Sequence, residues 1–186
     1  MGNMTIEQFE KLIVSAVSFA NAVAKTDGRS ATPEEIGLAA KGAAGRSLEV
    51  IKATEYVNRS TDSWRKRILW VDDRPDNNVY ERHAFESIGI EFTLAMSTRE
   101  ALNLLSKRRF AAIISDMGRK EGPTEGYVLL DAVRANDQKT PFFIYAGSNA
   151  SAHKKEAIDR GAQGSTNRVQ ELLDMVVEAL QTNALA

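Results

Sequence analysis

Asp72 and Asp73 close the run Lys66-Arg67-Ile68-Leu69-Trp70-Val71-Asp72-Asp73, in which a short apolar segment delivers two adjacent carboxylates to the start of a polar stretch. A third acid, Asp116, ends Ala111-Ala112-Ile113-Ile114-Ser115-Asp116, about one strand–helix–strand repeat later. In an open parallel sheet the carboxyl ends of the strands are where ligands sit. Acids gathered there repel one another unless a positive charge, usually a metal ion, relieves them. The competing, plainer role for a strand-end aspartate is to cap the next helix.

Those acids need strands to position them, and the pattern from Trp64 onward supplies them. Strands are predicted over 67–72, 91–96, 110–115, 141–146 and 162–166. Helices are predicted near 76–88, 98–108, 126–135, 150–160 and 168–181. The segments 110–115 and 141–146 are almost continuously apolar, as parallel strands buried on both faces must be. Five such alternations predict an α/β fold, a doubly wound five-stranded parallel sheet with right-handed crossovers.

The first third of the chain reads differently. Thr5 with Gln8 has the form of a capping box, and Phe9, Leu12, Ile13, Ala16, Val17, Phe19, Ala20 and Val23 recur at helical spacing. A turn-like cluster, Thr26-Asp27-Gly28-Arg29-Ser30, follows. Thr32, Pro33, Glu34 and Glu35 then mark a second helix start, running on to about Asn58. Two helices cannot enclose a core alone, so residues 1–62 are expected to form an α-helical hairpin that packs on its own domain or forms a homodimer. Residues 59–66 serve as linker, and 66–183 as the α/β domain. Gly42-Ala43-Ala44-Gly45-Arg46-Ser47 is not a phosphate loop: it lacks the lysine, the spacing and a preceding strand.

Composition narrows the chemistry. The 186 residues carry a net charge of −1, which gives no electrostatic reason to expect nucleic acid or an anionic membrane as partner. The absence of cysteine excludes disulfides, thiolate metal sites and cysteine nucleophiles, and two histidines, His83 and His153, argue against a histidine-rich metal site. No stretch is apolar enough for a membrane span and no signal peptide is evident, so a cytoplasmic location is expected.

Over residues 66–183 the sequence resembles a response-regulator receiver domain. The resemblance rests on the Asp72-Asp73 pair, on Ile113-Ile114-Ser115-Asp116, and on Glu125-Gly126-Tyr127-Val128-Leu129-Leu130 as the entry to the next helix. Pro141-Phe142-Phe143-Ile144-Tyr145-Ala146-Gly147 and Gly161-Ala162-Gln163-Gly164 complete it. It implies that Asp116 is a phospho-acceptor. It also implies that Asp73, Asp116 and the backbone carbonyl of Gly118 hold Mg²⁺, with Asp72 acting through a water.

The chain departs from the family pattern at several of these positions. Ala146 stands where a Ser or Thr is usual, and Ser148 is its candidate substitute. Arg168 stands where a lysine is usual, without the proline that normally follows, and Ser165 replaces the aromatic of strand five. The segment Met117–Glu125 is a few residues longer than the pattern, and Arg119 or Lys120 could bring positive charge to a phosphoryl group. Ser148, Arg168 and Arg119 are therefore the candidate phosphoryl contacts.

The reading that results is an atypical receiver in phosphorelay signal transduction, a binding module and not an enzyme. Its phosphodonor would be a histidine kinase or phosphotransfer protein and its output a downstream protein, with no nucleic acid or membrane involved. The alternative is a nucleotide- or NAD-processing enzyme on a flavodoxin-like fold, with Asp116, Glu121 or Glu125 as its acid.

Overall fold

The structure is a computed structural model in which residues 5–25, 29–45, 62–147 and 150–184 are described. They divide into two compact units. One takes the first two helices together with residues 78–90; the other takes 62–77 and the chain from Glu91 onward.

The first unit contains α1 (Ile6–Lys25), α2 (Pro33–Gly45) and α3 (Val79–Glu86). The start of α2 follows its sequence closely. The Thr32 hydroxyl accepts the Glu35 amide while the Glu35 carboxylate accepts the Thr32 amide at 2.8 Å, a reciprocal capping box. Arg29 adds a two-pronged contact to the same carboxylate. That guanidinium, with the Thr32 amide, holds Glu35 down at about 2. Asn21 on α1 accepts the Ala31 amide at 3.1 Å, tying the connection back to the first helix.

Burial on α1 follows the expected stripe at Ala16, Val17 and Ala20 and departs from it elsewhere. Ala16, Ser18, Ala20, Ala22 and Ala24 are buried, whereas Ile13 and Val23 are exposed. Small residues spaced this way are buried around more than one side of the helix, because α1 packs against both α2 and α3. Lys25 of α1 pairs with Glu81 of α3, whose side chain is only 1% exposed. The part of the second helix expected beyond Gly45 lies outside the described residues.

The second unit is the sheet and its helices. Its strands are β1 (Arg67–Val71), β2 (Glu91–Ala95), β3 (Ala112–Ser115), β4 (Phe142–Tyr145) and β5 (Gly164–Thr166). They pair in the order β2-β1-β3-β4-β5, all parallel, the doubly wound order of the flavodoxin type. Each strand lies where the sequence places it, trimmed by a residue or two at its ends. α4 (Thr98–Leu105), α5 (Glu125–Arg134), α6 (Ser151–Asp159) and α7 (Val169–Ala184) follow the last four strands in turn.

Strand alternation sorts the core. Leu69, Val71, Ile113, Phe142 and Ile144 join Ala101, Leu129, Leu130, Val133 and Ala157 on the side of α4, α5 and α6. α7 takes the β5 end, where Met175 packs so closely over Gly164 that a β-carbon there would lie 2.3 Å from its sulfur. Gly161 ends α6 in the left-handed region at φ 95°. Its amide and that of Ala162 return to the carbonyls of Ile158 and Ala157, which closes the helix in a Schellman motif.

Candidate functional site

Register brings the acids together. β1 pairs β3 with Val71 opposite Ser115, and the Asp116 amide continues the ladder by donating to the Val71 carbonyl at 2.9 Å. On the other edge of β1 the Asp72 amide donates to Ala95. One carboxylate oxygen from each of Asp72, Asp73 and Asp116 then lies within 4.8 Å of the other two. Asp72 is buried and the other two half-buried.

Each carboxylate has a local anchor. Asp72 accepts the Arg74 amide at 2.6 Å, Asp116 the Met117 amide at 2.7 Å, and Asp73 the Lys120 amide at 2.7 Å. Burial and the neighbouring Asp72 charge, with a smaller push from Asp73, raise Asp116 to about 6. The Met117 amide and the nearby Arg119 oppose the rise. A cluster of hard oxygen donors whose mutual repulsion lifts a carboxyl pKa suits Mg²⁺.

Gly126, at the second position of α5, is required by this geometry. Its amide donates to the Met117 carbonyl at 2.9 Å. A β-carbon on it would lie 2.9 Å from the Asp116 carbonyl oxygen and 3.0 Å from the Met117 Cα. The backbone carrying the acceptor aspartate thus runs directly over α5, which only glycine permits.

Arg119 occupies a place the sequence does not suggest. Its side chain is 0% exposed. Its guanidinium donates to the Ser115 hydroxyl, the Asp116 carbonyl, the Thr98 hydroxyl and the Glu125 carbonyl, at 2.6 to 3.0 Å. Those N–H groups are spent inside the protein, on the loop and not on the carboxylate oxygens of the site. Thr98 completes the cluster: its hydroxyl donates to the Glu125 carboxylate at 2.8 Å and its amide to Glu121 at 2.9 Å. Thr98 lies 21 residues away in sequence, and no sequence signal marks it.

The other expected contacts are placed as follows. Ala146 is half-buried against the core, with its amide on the Thr166 carbonyl. Ser165 is buried. The Arg168 side chain is 70% exposed and pairs with Glu171 at 3.2 Å, while the Thr166 hydroxyl donates to the same glutamate. Gly118 is exposed at the loop beside Asp116, and Ser148 lies outside the described residues. His83 is exposed on α3 near Glu86.

An acidic trio at the carboxyl ends of β1 and β3, in a sheet of this order, defines a class, and comparison with known proteins gives the family. Residues 68–179, more than half of the chain, match the response regulator receiver domain, and the chain belongs to that family. It is thus a receiver domain of two-component signalling with additional N-terminal helices.

Solved structures agree in fold. The receiver domain of a Francisella response regulator is 23% identical with a TM-score of 0.58, covering 63% of this chain and 98% of its own. A CheY-like receiver domain protein from Methanospirillum hungatei is 22% identical with a TM-score of 0.55, covering 63% and 94% respectively. The chemotaxis response regulator CheY4 of Vibrio cholerae is 28% identical with a TM-score of 0.50, covering 62% and 96%. No curated protein sequence matches the chain. No described helix is long and apolar enough to cross a membrane.

Proposed function

We propose that the chain is an atypical receiver in a phosphorelay that accepts a phosphoryl group on Asp116 and acts through contacts with another protein. The observation that carries this reading is the convergence of Asp72, Asp73 and Asp116 within 4.8 Å at the strand ends. In the transfer, an Asp116 carboxylate oxygen forms a bond to phosphorus as the bond from phosphorus to a donor histidine nitrogen breaks. The electron pair of that bond leaves with the imidazole. Asp73, Asp116 and the Gly118 carbonyl would hold Mg²⁺, with Asp72 reaching it through water. Bound there, the ion offsets the charge of the transferred oxygens. Ser148 and Arg168 are the proposed phosphoryl contacts. Arg119, the third residue expected to meet the phosphoryl group, has its guanidinium committed inward instead.

A histidine kinase or phosphotransfer protein is the proposed donor. The N-terminal helices, which leave Ile13, Val14 and Leu38 exposed, are the proposed self-association surface, and a cytoplasmic setting suits such a relay. Incubation with acetyl phosphate and Mg²⁺ followed by intact-mass measurement tests the central claim. One added phosphoryl group that Asp116→Asn abolishes is expected; an unchanged mass in the unsubstituted protein overturns it.

A further inference from the structure

We propose that Arg119 is a positioning residue that carries occupancy of the three-carboxylate site to the amino end of α4. This deepens the reading above and rests on it. A guanidinium with no solvent exposure is expensive to bury unless its surroundings are built for it, and here they are drawn from three segments. Ser115 and the Asp116 carbonyl belong to the end of β3, Thr98 opens α4, and the Glu125 carbonyl opens α5. Glu121 and Glu125 balance the charge, at 3.6 and 3.9 Å from guanidinium nitrogens. Both carboxylates also bind Thr98.

The same loop is fastened to the acid site. The Met117 amide binds Asp116 and the Lys120 amide binds Asp73. The second fastening lies inside a tight turn in which Arg119 and Gly122 exchange both backbone hydrogen bonds at 2.9 Å. A movement of the Asp73 or Asp116 carboxylate is therefore passed on by the turn instead of being absorbed within it.

A second arrangement is within reach. The Arg119 Nε–H is buried without an acceptor, an unmet donor of the kind that native structures rarely keep without a reason. Its nearest carboxylate oxygen, on Glu121 at 3.6 Å, is already accepting the Thr98 amide. A small shift of the loop would move Glu121 from Thr98 to Arg119, releasing the Thr98 amide at the start of α4. Such a two-position element is what coupling between sites requires. At the end of β4, Ala146 offers no hydroxyl to a phosphoryl group, whereas this loop ties the backbone of Asp116 to Thr98 of α4 through the Arg119 guanidinium.

The test follows backbone amide exchange across residues 96–105 and 117–125 in the full chain, with and without acetyl phosphate and Mg²⁺. Phosphoryl uptake is read in parallel by intact mass. In the unsubstituted protein, phosphorylation is expected to change exchange at Thr98 and Glu121 several-fold. Thr98→Val and Arg119→Lys are expected to take up the phosphoryl group and lose most of that change. Full transmission in both variants overturns the proposal, as does a phosphorylated native chain with an unaltered α4 start. A variant that only melts at lower temperature while keeping the α4 response also overturns it, because Arg119 is then merely structural. If Arg119→Lys does not fold, Thr98→Val decides alone. An unphosphorylated native chain instead sinks the functional reading beneath it, and the mass measurement distinguishes that case.

Discussion

Burial, together with the Asp72 and Asp73 charges, lifts Asp116 to about 6, against 3.8 for a free aspartate. Between those values the folded chain keeps a proton that the unfolded chain has released, so the contribution of this group to stability falls as pH rises through the window and levels off above it. Asp116→Asn removes the ionisation while keeping the shape. In the absence of divalent cations the variant is expected to resist urea better than the native chain near neutral pH, with the difference vanishing below the free-aspartate value. Superimposable pH profiles for the two proteins would refute this. The three acids were legible in the sequence because each ends an apolar strand. Arg119 was not. Its nearness to Asp116 in the chain suggested a phosphoryl contact, whereas the Arg119–Gly122 turn and a hydroxyl from Thr98 direct it inward. Arg119→Met should cost about 3 kcal/mol in urea unfolding, because the Ser115 hydroxyl and the Asp116 and Glu125 carbonyls would lose their donor.

At the level of elements, strands and helices fell where hydrophobic spacing and caps put them, because each signal is local. The helix start at Thr32 and the buried runs of β3 and β4 are of this kind. What escaped was packing between elements. The predicted stripe of α1 holds at Ala16 and Ala20 and fails at Ile13 and Val23, while Ala22 and Ala24 outside it are buried, since periodicity reports a face but not how many neighbours the helix has. Gly126 illustrates the same gap. Sequence marked it as a family position, but its physical reason is the Asp116 carbonyl lying over α5. Because the obstruction is backbone and not a flexible side-chain tip, Gly126→Ala must displace the acceptor aspartate. Phosphoryl uptake from acetyl phosphate is expected to slow at least tenfold while the far-ultraviolet dichroism stays native. An unchanged rate would show that the acceptor tolerates the shift.

On the scale of the whole chain, the receiver family accounts for residues 68–179 and leaves α1 and α2 to be explained. Residues 78–90 fall inside that family segment yet form one compact unit with those helices, in which Lys25 of α1 meets the buried Glu81 of α3. The N-terminal helices thus share a core with part of the receiver sequence. Sequence alone could not show this, since the pairing joins residues 56 positions apart. Their outward residues are a separate matter. Ile13 at 46% and Leu38 at 62% exposure are large apolar side chains left in water on two helices that pack together, and they are the residues on which the proposed self-association is tested. Light scattering over concentrations from micromolar to hundreds of micromolar is expected to show the mass rising toward a dimer. Ile13→Lys combined with Leu38→Lys should hold the chain monomeric without lowering phosphoryl uptake at Asp116. A mass that stays monomeric throughout, or a double variant that still dimerises, would exclude these residues from any self-association.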